Sequence, residues 1–548
     1  MVNFCLPQVL WTIHLALTLA NPISAPIVDL GYVRYRGFHN STTGLTSYYG
    51  IRYAKAPVGQ LRWRAPVPID THTAPRPDIL NATMHGPSCI QSTPAWEPSA
   101  SSVTVEGDED CLLLDVITPS VPVSANLPVM VQIHGGGYVR GSSATYPGNA
   151  LVYQSCGNLI YVSIQYRLGP FGFLAGDEVK ADGIWNAGLL DQRAALHWVQ
   201  RHIHQFGGDP SKVTTIGGSA GGGSVSMQMM LHGGVEKPPF RAAIAGKCYS
   251  GFADAANCSS VYCLRNLSVR DLQRATVTSY QTAYSARQYA YGTFYWGPAV
   301  DGHAVPDYPA AAFRDGKFTK IPVLVDRDGF EGVSFTNFSL TTTAEVLADL
   351  STLWPSIAPG RLAEILALYP ASAYNGTALS AQPFFQVLQV VYGPIAPLNT
   401  AFARRQAVFG DALVECPTNL IAGAASARGL PAWKMVFNAG FQLHSATSAF
   451  LFSDPIVHCD RGITSATAAR RVIGADGICA ASPGELGNTT FGPVLRDYFV
   501  SFAVELDPNR WATVANKTVW PRFEVGTESV LDVGLSRLDL RLDNAVTF

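Results

Sequence analysis

Residues 213–225 read VTTIGGSAGGGSV, a β-branched run that passes directly into glycine, serine and alanine. No other stretch restricts the fold so tightly. β-branched residues favour an extended strand, and small residues straight after it permit a turn too sharp for larger neighbours. One reading is a flexible connection. The other is that Gly217-Gly218-Ser219-Ala220-Gly221 fits the frame G-x-S-x-G, in which small neighbours let a serine hydroxyl project from a strand-to-helix turn. The pentapeptide alone does not choose between them, so the choice rests on what the rest of the chain supplies.

The flanking pattern predicts strands alternating with helices. LPVMVQIHGGG (127–137) and NLIYVSIQYR (158–167) read as buried strands, the first running into a glycine turn. NAGLLDQRAALHWVQRHIHQF (186–206) reads as a helix whose apolar face carries Leu189, Leu190, Ala194, Leu196 and Val199. KVTTIGG returns to strand, and a helix opens after Ser219. KIPVLVDRDGFEG (320–332) and AWKMVFNAG (432–440) are later strands ending in polar or glycine-containing loops. Such alternation predicts an α/β protein with a mostly parallel sheet covered on both faces, and reactive groups collect at the carboxyl ends of its strands. The 548 residues, 47% hydrophobic and 14% charged, suffice for a large core. With no internal repeat or long linker, one domain over 27–548 is the economical expectation. A formal charge of -2 offers neither a basic footprint for nucleic acid nor an acidic tail.

The N-terminus, MVNFCLPQVLWTIHLALTLANPISAP, carries an apolar stretch from Val9 to Ala20 followed by small residues. It predicts a secretory signal over 1–20, cleaved near Ala20, although its leading segment lacks Lys and Arg. No other stretch approaches the roughly 18 uninterrupted apolar residues of a membrane span, so no integral membrane segment is expected. Sequons at Asn40, Asn81, Asn257, Asn266, Asn337, Asn375, Asn488 and Asn516 fit a secreted glycoprotein. Loss of Cys5 with the signal leaves nine cysteines, an odd number. Nearness in sequence pairs Cys89 with Cys111, Cys258 with Cys263 and Cys459 with Cys479, leaving Cys156, Cys248 and Cys416 unassigned.

A serine hydroxyl is a weak nucleophile at neutral pH. It needs a base to take its proton, an acid to orient that base, and donors for the oxyanion that forms. His134-Gly135-Gly136-Gly137-Tyr138 ends a predicted strand, and glycines there let backbone N–H groups approach a substrate oxygen. Gly136 and Gly137 are the candidate donors, with the N–H of Ala220 as a third. No Lys-Ser/Thr pair follows these glycines, which argues against a phosphate cradle. His134 precedes the turn and reads as structural.

At this point several blocks, in order, resemble one family. FGGDPSKVTTIGGSAGG (206–222) resembles the nucleophile signature of type B carboxylesterases, and EDCLLLDV (109–116) resembles their second signature. YYGIRYAKAPVGQLRWRAP (48–66), QYRLGPFGFL (165–174), WGPAVDGHAVPD (296–307) and SFAVELDPN (501–509) match further blocks. The resemblance runs from residue 27 to the C-terminus and is to the cholinesterase and secreted-lipase superfamily, secreted fungal members included. It implies an α/β-hydrolase fold, with a mostly parallel central sheet flanked by helices and large insertions around an active-site gorge.

The resemblance also carries the acid and the base. In this fold they follow the serine in that order. DRDGFEGVSF resembles the family frame G-x-x-x-x-E-G-x-x-F and supplies Glu331, with Asp326 and Asp328 as rivals that read as loop carboxylates. Of twelve histidines only His444 and His458 follow these acids. HSATSAFLFS (444–453) resembles H-G-x-E-x-x-F-x-F-G, with Phe450 and Phe452 in register, whereas PIVHCDRG around His458 does not and belongs to an insertion tied by Cys459 and Cys479. The reading is a serine esterase acting on small-molecule or lipid esters, with catalytic Ser219, Glu331 and His444 and no metal or cofactor. Alternatives are a lipase or sterol esterase acting on long acyl chains, and a non-catalytic adhesion protein of the same superfamily. Gly218 stands where cholinesterases carry glutamate, which argues against choline esters. Residues 90–110 between Cys89 and Cys111, rich in serine, proline and acid, lack the amphipathic stripe of a lipase lid. Ser445 replaces the glycine that usually follows the histidine, and GKCYSG (246–251) replaces a family S-G-S stretch.

Overall fold

The computed structural model describes residues 26–69, 78–97, 105–234, 237–245, 260–392, 394–452, 491–514, 517–534 and 537–542. The signal segment, 246–251, His458, Cys258, Cys459, Cys479, Asn257, Asn488 and Asn516 lie outside these residues. In chain order the strands are β1 (Ile27–Asp29), β2 (Arg34–Arg36), β3 (Phe38–Asn40), β4 (Leu45–Arg52), β5 (Ile79–Asn81), β6 (Leu113–Pro119), β7 (Leu127–Ile133), β8 (Ile160–Ile164), β9 (Gly208–Gly217), β10 (Ala242–Ala245), β11 (Val323–Asp328), β12 (Ala432–Phe437), β13 (Ser529–Gly534) and β14 (Arg537–Leu542).

Among the described residues, β1, β2 and β5 form a small sheet. The rest form an 11-stranded sheet in the order β14-β13-β12-β11-β10-β9-β7-β8-β6-β4-β3. Its centre, from β8 through β7, β9, β10, β11 and β12 to β13, is parallel. Antiparallel strands finish both edges. The strands predicted at 127–137, 158–167, 212–218, 320–332 and 432–440 are present as β7, β8, β9, β11 and β12. β7 and β8 are buried along their whole lengths, as strands with cover on both faces must be.

The helix predicted over 186–206 spans Ala187–His202 and continues as a 3-10 turn over Ile203–Phe206. It buries Leu189, Leu196, Trp198 and Val199 in the core, and its buried Asp191 accepts from the Nε and Nη2 of Arg167, each at 2.7 Å. That bidentate pair satisfies a charge which the interior would otherwise penalise heavily.

Cys89 and Cys111 are bonded, with Cα atoms 4.9 Å apart. Cys263 is also disulfide-bonded, as is Cys156, which sequence nearness left unassigned. Cys416 is a half-buried thiol. The described parts of the loop between Cys89 and Cys111 contain no helix. Of the described sequons, Asn81, Asn266 and Asn375 are exposed and Asn40 and Asn337 are half-buried.

Candidate active site

The four sequence-predicted groups leave the sheet at the carboxyl ends of β7, β9, β11 and β12. Ser219 stands between β9 and the helix Ala220–Met230 with φ 56 and ψ -131, a region sparsely populated by residues with a Cβ. The flanking glycines make this turn possible. A Cβ on Gly217 would lie 2.4 Å from the carbonyl carbon of Gly221, and one on Gly221 would lie 2.1 Å from the carbonyl oxygen of Ile133. The turn is therefore backbone packed on backbone, which explains the glycines of G-x-S-x-G physically. Gly218 is different, because a Cβ there would meet only Ser448 Oγ, at 3.9 Å. Ala220 is the first helical residue, so its N–H has no acceptor within the helix.

The glycine loop after β7 presses against the same turn. Gly137 has φ 64, and a Cβ on it would strike the Phe294 ring at 2.3 Å. The Gly136 carbonyl accepts the N–H groups of Val139 and Arg140, each at 3.1 Å, which closes the loop on itself. His134 is fully buried, its Nδ1 hydrogen-bonded to the Gly135 carbonyl at 2.9 Å and its ring stacked on Tyr166 with centroids 4.4 Å apart. Burial lowers its pKa to about 4, against a smaller opposing effect of the Gly135 carbonyl. It is a neutral, structural histidine.

Glu331 and His444 are brought together by pairing between their loops. After β11, the Gly329 N–H donates to the Phe437 carbonyl and the Phe330 N–H to the Gln442 carbonyl, at 3.0 and 2.7 Å. Phe330 and Leu443 form a parallel bridge. The next residues, Glu331 and His444, consequently lie side by side, with Glu331 Oε2 2.5 Å from His444 Nδ1. Glu331 Oε1 accepts the Asp328 N–H at 2.7 Å. The His444 ring packs on the Phe335 ring, and its Nε2 is buried with no hydrogen-bond partner among the described residues.

Asp326 and Asp328, expected in a loop, instead end β11. Asp328 is buried and Asp326 half-buried, and such sheltered positions leave carboxyl groups little water, which disfavours their charged forms. Burial, reinforced by the charge of Glu331 and opposed by His444, pushes Asp326 up to about 7. Asp328 is also held well above the usual carboxylate range, by burial first and then by Glu331 and Asp326.

Ser219, Ala220, Gly137, Glu331 and His444 line one cleft of about 740 Å³, open mouth included. Its other walls are mainly apolar, with Phe294, Phe335, Leu353, Trp354, Phe409, Leu413 and Val414. Gly136 lies one residue behind the lining. Phe335 closes the DRDGFEGVSF stretch that carries Glu331. The remaining wall residues come from separate segments without a motif, and Leu413 and Val414 sit in a π-helical turn, Asp411–Glu415. Trp96 packs behind this wall, donating its indole N–H to the Thr293 carbonyl at 2.7 Å and contacting the Phe294 ring.

A parallel sheet that presents a serine turn, a glycine loop, a carboxylate and a histidine at the carboxyl ends of its central strands defines the α/β-hydrolase class. The sequence profile described as Carboxylesterase family matches residues 24–545, and the chain belongs to that family. Lipase 1 of Geotrichum candidum is 29% identical over 91% of this chain and 90% of its own. Carboxylesterase patB of Aspergillus clavatus is 31% identical over 80% of this chain and 85% of its own. The crystal structure of Aspergillus niger EstA superposes with a TM-score of 0.76 at 28% identity, covering 95% of each chain. The chain is a carboxylic ester hydrolase.

Proposed function

We propose that this hydrolase works through an acyl-enzyme, with Ser219 as nucleophile, His444 as general base and Glu331 as the carboxylate that orients the imidazole. Ser219 Oγ attacks the ester carbonyl while His444 Nε2 takes its proton. The same proton then goes to the departing alkoxide, and the acyl group stays on serine. Water, activated by His444, releases the acid. The N–H groups of Gly136, Gly137 and Ala220 bind the oxyanion of both tetrahedral intermediates. The observation that carries this reading is the 2.5 Å contact between Glu331 and His444 Nδ1, in the cleft that Ser219 also lines. It leaves Nε2 as the nitrogen available to serine. Hydrolysis of a short p-nitrophenyl ester by the wild type, lost in a folded Ser219→Ala variant, is the expected result. Equal turnover by both proteins would contradict it.

A long-chain lipase is a second reading, favoured by the apolar walls of the cleft. The polar 90–110 loop favours short esters. Rates across acyl chains from about two to eighteen carbons, with and without emulsified lipid, separate the two: falling rates with length and no interfacial activation select the esterase. We also propose secretion, on the strength of the N-terminal apolar segment and the sequons. Among the described residues no helix is long and apolar enough to cross a membrane.

A further inference from the structure

Asp328 has no part in the chemistry proposed above, yet it bonds Glu331 on one side and the residues just after His444 on the other. Its N–H donates to Glu331 Oε1 at 2.7 Å. Its buried carboxyl group reaches across to the other loop, where Oδ2 accepts the Ala446 N–H at 3.1 Å. Oδ1 accepts both the N–H and the hydroxyl of Thr447, at 3.0 and 2.8 Å. These amides open the helix Ala446–Phe452, so neither has an acceptor within the helix, and the Ala446 N–H is shared between Asp328 and the Leu443 carbonyl, at 2.8 Å from the latter. They also follow His444 almost directly.

The intervening residue makes that anchorage consequential. Ser445 has φ 70, and Gln442, two residues before the histidine, has φ 55. A Cβ opposes this left-handed conformation, so the segment carrying His444 bends through two strained positions. Its far end is fixed by Asp328. Without that anchor, only the Ala446 N–H bond to the Leu443 carbonyl, at 2.8 Å, would hold the turn against relaxation of Ser445 toward negative φ.

We propose that Asp328 is a positioning residue for His444: by holding the amides of Ala446 and Thr447 it keeps the imidazole against Glu331 despite the left-handed turn at Ser445. This rests on the assignment of His444 as the base. Displacing a catalytic group by about 1 Å costs roughly a hundredfold in rate. Asp328→Ala should therefore lower kcat by about that factor, with KM for a short ester within about threefold of wild type. Asp328→Asn should lose less, since its amide keeps one acceptor oxygen but turns a donor toward another donor. A purely structural cap would not predict the effect of a second change. Ser445→Gly removes the strain that Asp328 works against, and in the Asp328→Ala background it should restore at least about tenfold of kcat.

Thermal melts establish that each variant is folded at the assay temperature. If Asp328→Ala does not fold, the nearly isosteric Asp328→Asn takes its place, with and without Ser445→Gly. Wild-type kcat in the folded Asp328 variants, or a loss that Ser445→Gly leaves unchanged, overturns the proposal. Fluorophosphonate labelling of the wild type distinguishes the two levels. Labelling at Ser219 with unimpaired Asp328 variants removes only the role of Asp328, whereas no labelling at Ser219 removes the catalytic assignment beneath it.

Discussion

Ser219 and Ser445 are both held at positive φ, for opposite reasons. At Ser219 the surrounding backbone packing imposes the turn and a side chain is required, so strain is stored where the proposed chemistry occurs. At Ser445 the family pattern has glycine, and a left-handed residue with a Cβ costs roughly 1–2 kcal/mol. Glycine offsets part of that gain through its greater freedom when unfolded. Ser445→Gly should accordingly raise stability by up to about 1 kcal/mol, seen as a higher urea midpoint at unchanged slope; a lower midpoint would count against the strain. The two histidines that follow the acid can also be separated singly. His444→Ala should cut turnover by about three to six orders of magnitude, the scale of losing a triad member, while His458→Ala should retain most activity. The reverse ranking, in folded proteins, would move the base.

At the scale of elements, the strand ends were legible from sequence and the contacts between their loops were not. Ser219, Gly137, Glu331 and His444 could be located because each follows an apolar run that reads as a buried strand, or because it sits in a family motif. The Phe330–Leu443 bridge and the reach of Asp328 to Thr447 join positions more than a hundred residues apart. Nothing local in DRDGFEG signals either one. The same blindness made Asp326 and Asp328 read as loop residues, since acidic residues ordinarily leave a buried strand.

Two predictions belong at this scale. Gly221→Ala forces a Cβ to 2.1 Å from the Ile133 carbonyl, so β7 and the serine turn must part. Overpacking of this kind costs about 1–3 kcal/mol, measurable by denaturant melts, and activity should fall with it. The second concerns pH. Asp326 is raised to about 7 in the fold, against about 3.9 in an unfolded chain. The fold thus favours the protonated form, and this contribution is complete below about pH 4 and lost as pH rises through about 7. Asp326→Asn should flatten the decline in melting temperature between about pH 4 and pH 8. An unchanged slope would show that Asp326 titrates normally.

For the whole molecule, the sheet positions Ser219, Glu331 and His444, and the segments above it wall the cleft that they line. Strand order was readable in outline because buried parallel strands are nearly continuous apolar runs, like LPVMVQI and IYVSI. The cleft walls were not, because Phe294, Trp354 and the 411–415 turn converge only through tertiary packing. Expression in a secreting eukaryotic host should yield a mature N-terminus just after Ala20 and a mass that drops on treatment with an N-glycosidase; an intact Met1 in the medium would contradict the signal assignment. Ser219 is proposed above as the activated nucleophile of this ester hydrolase. The most direct measurement of that role is reaction of the folded wild type with a fluorophosphonate probe, followed by peptide mapping. Stoichiometric phosphonylation of Ser219 is expected, with loss of esterase activity in proportion and strong slowing of the labelling in His444→Ala. A folded, active enzyme that is labelled elsewhere, or not labelled at all, would contradict it.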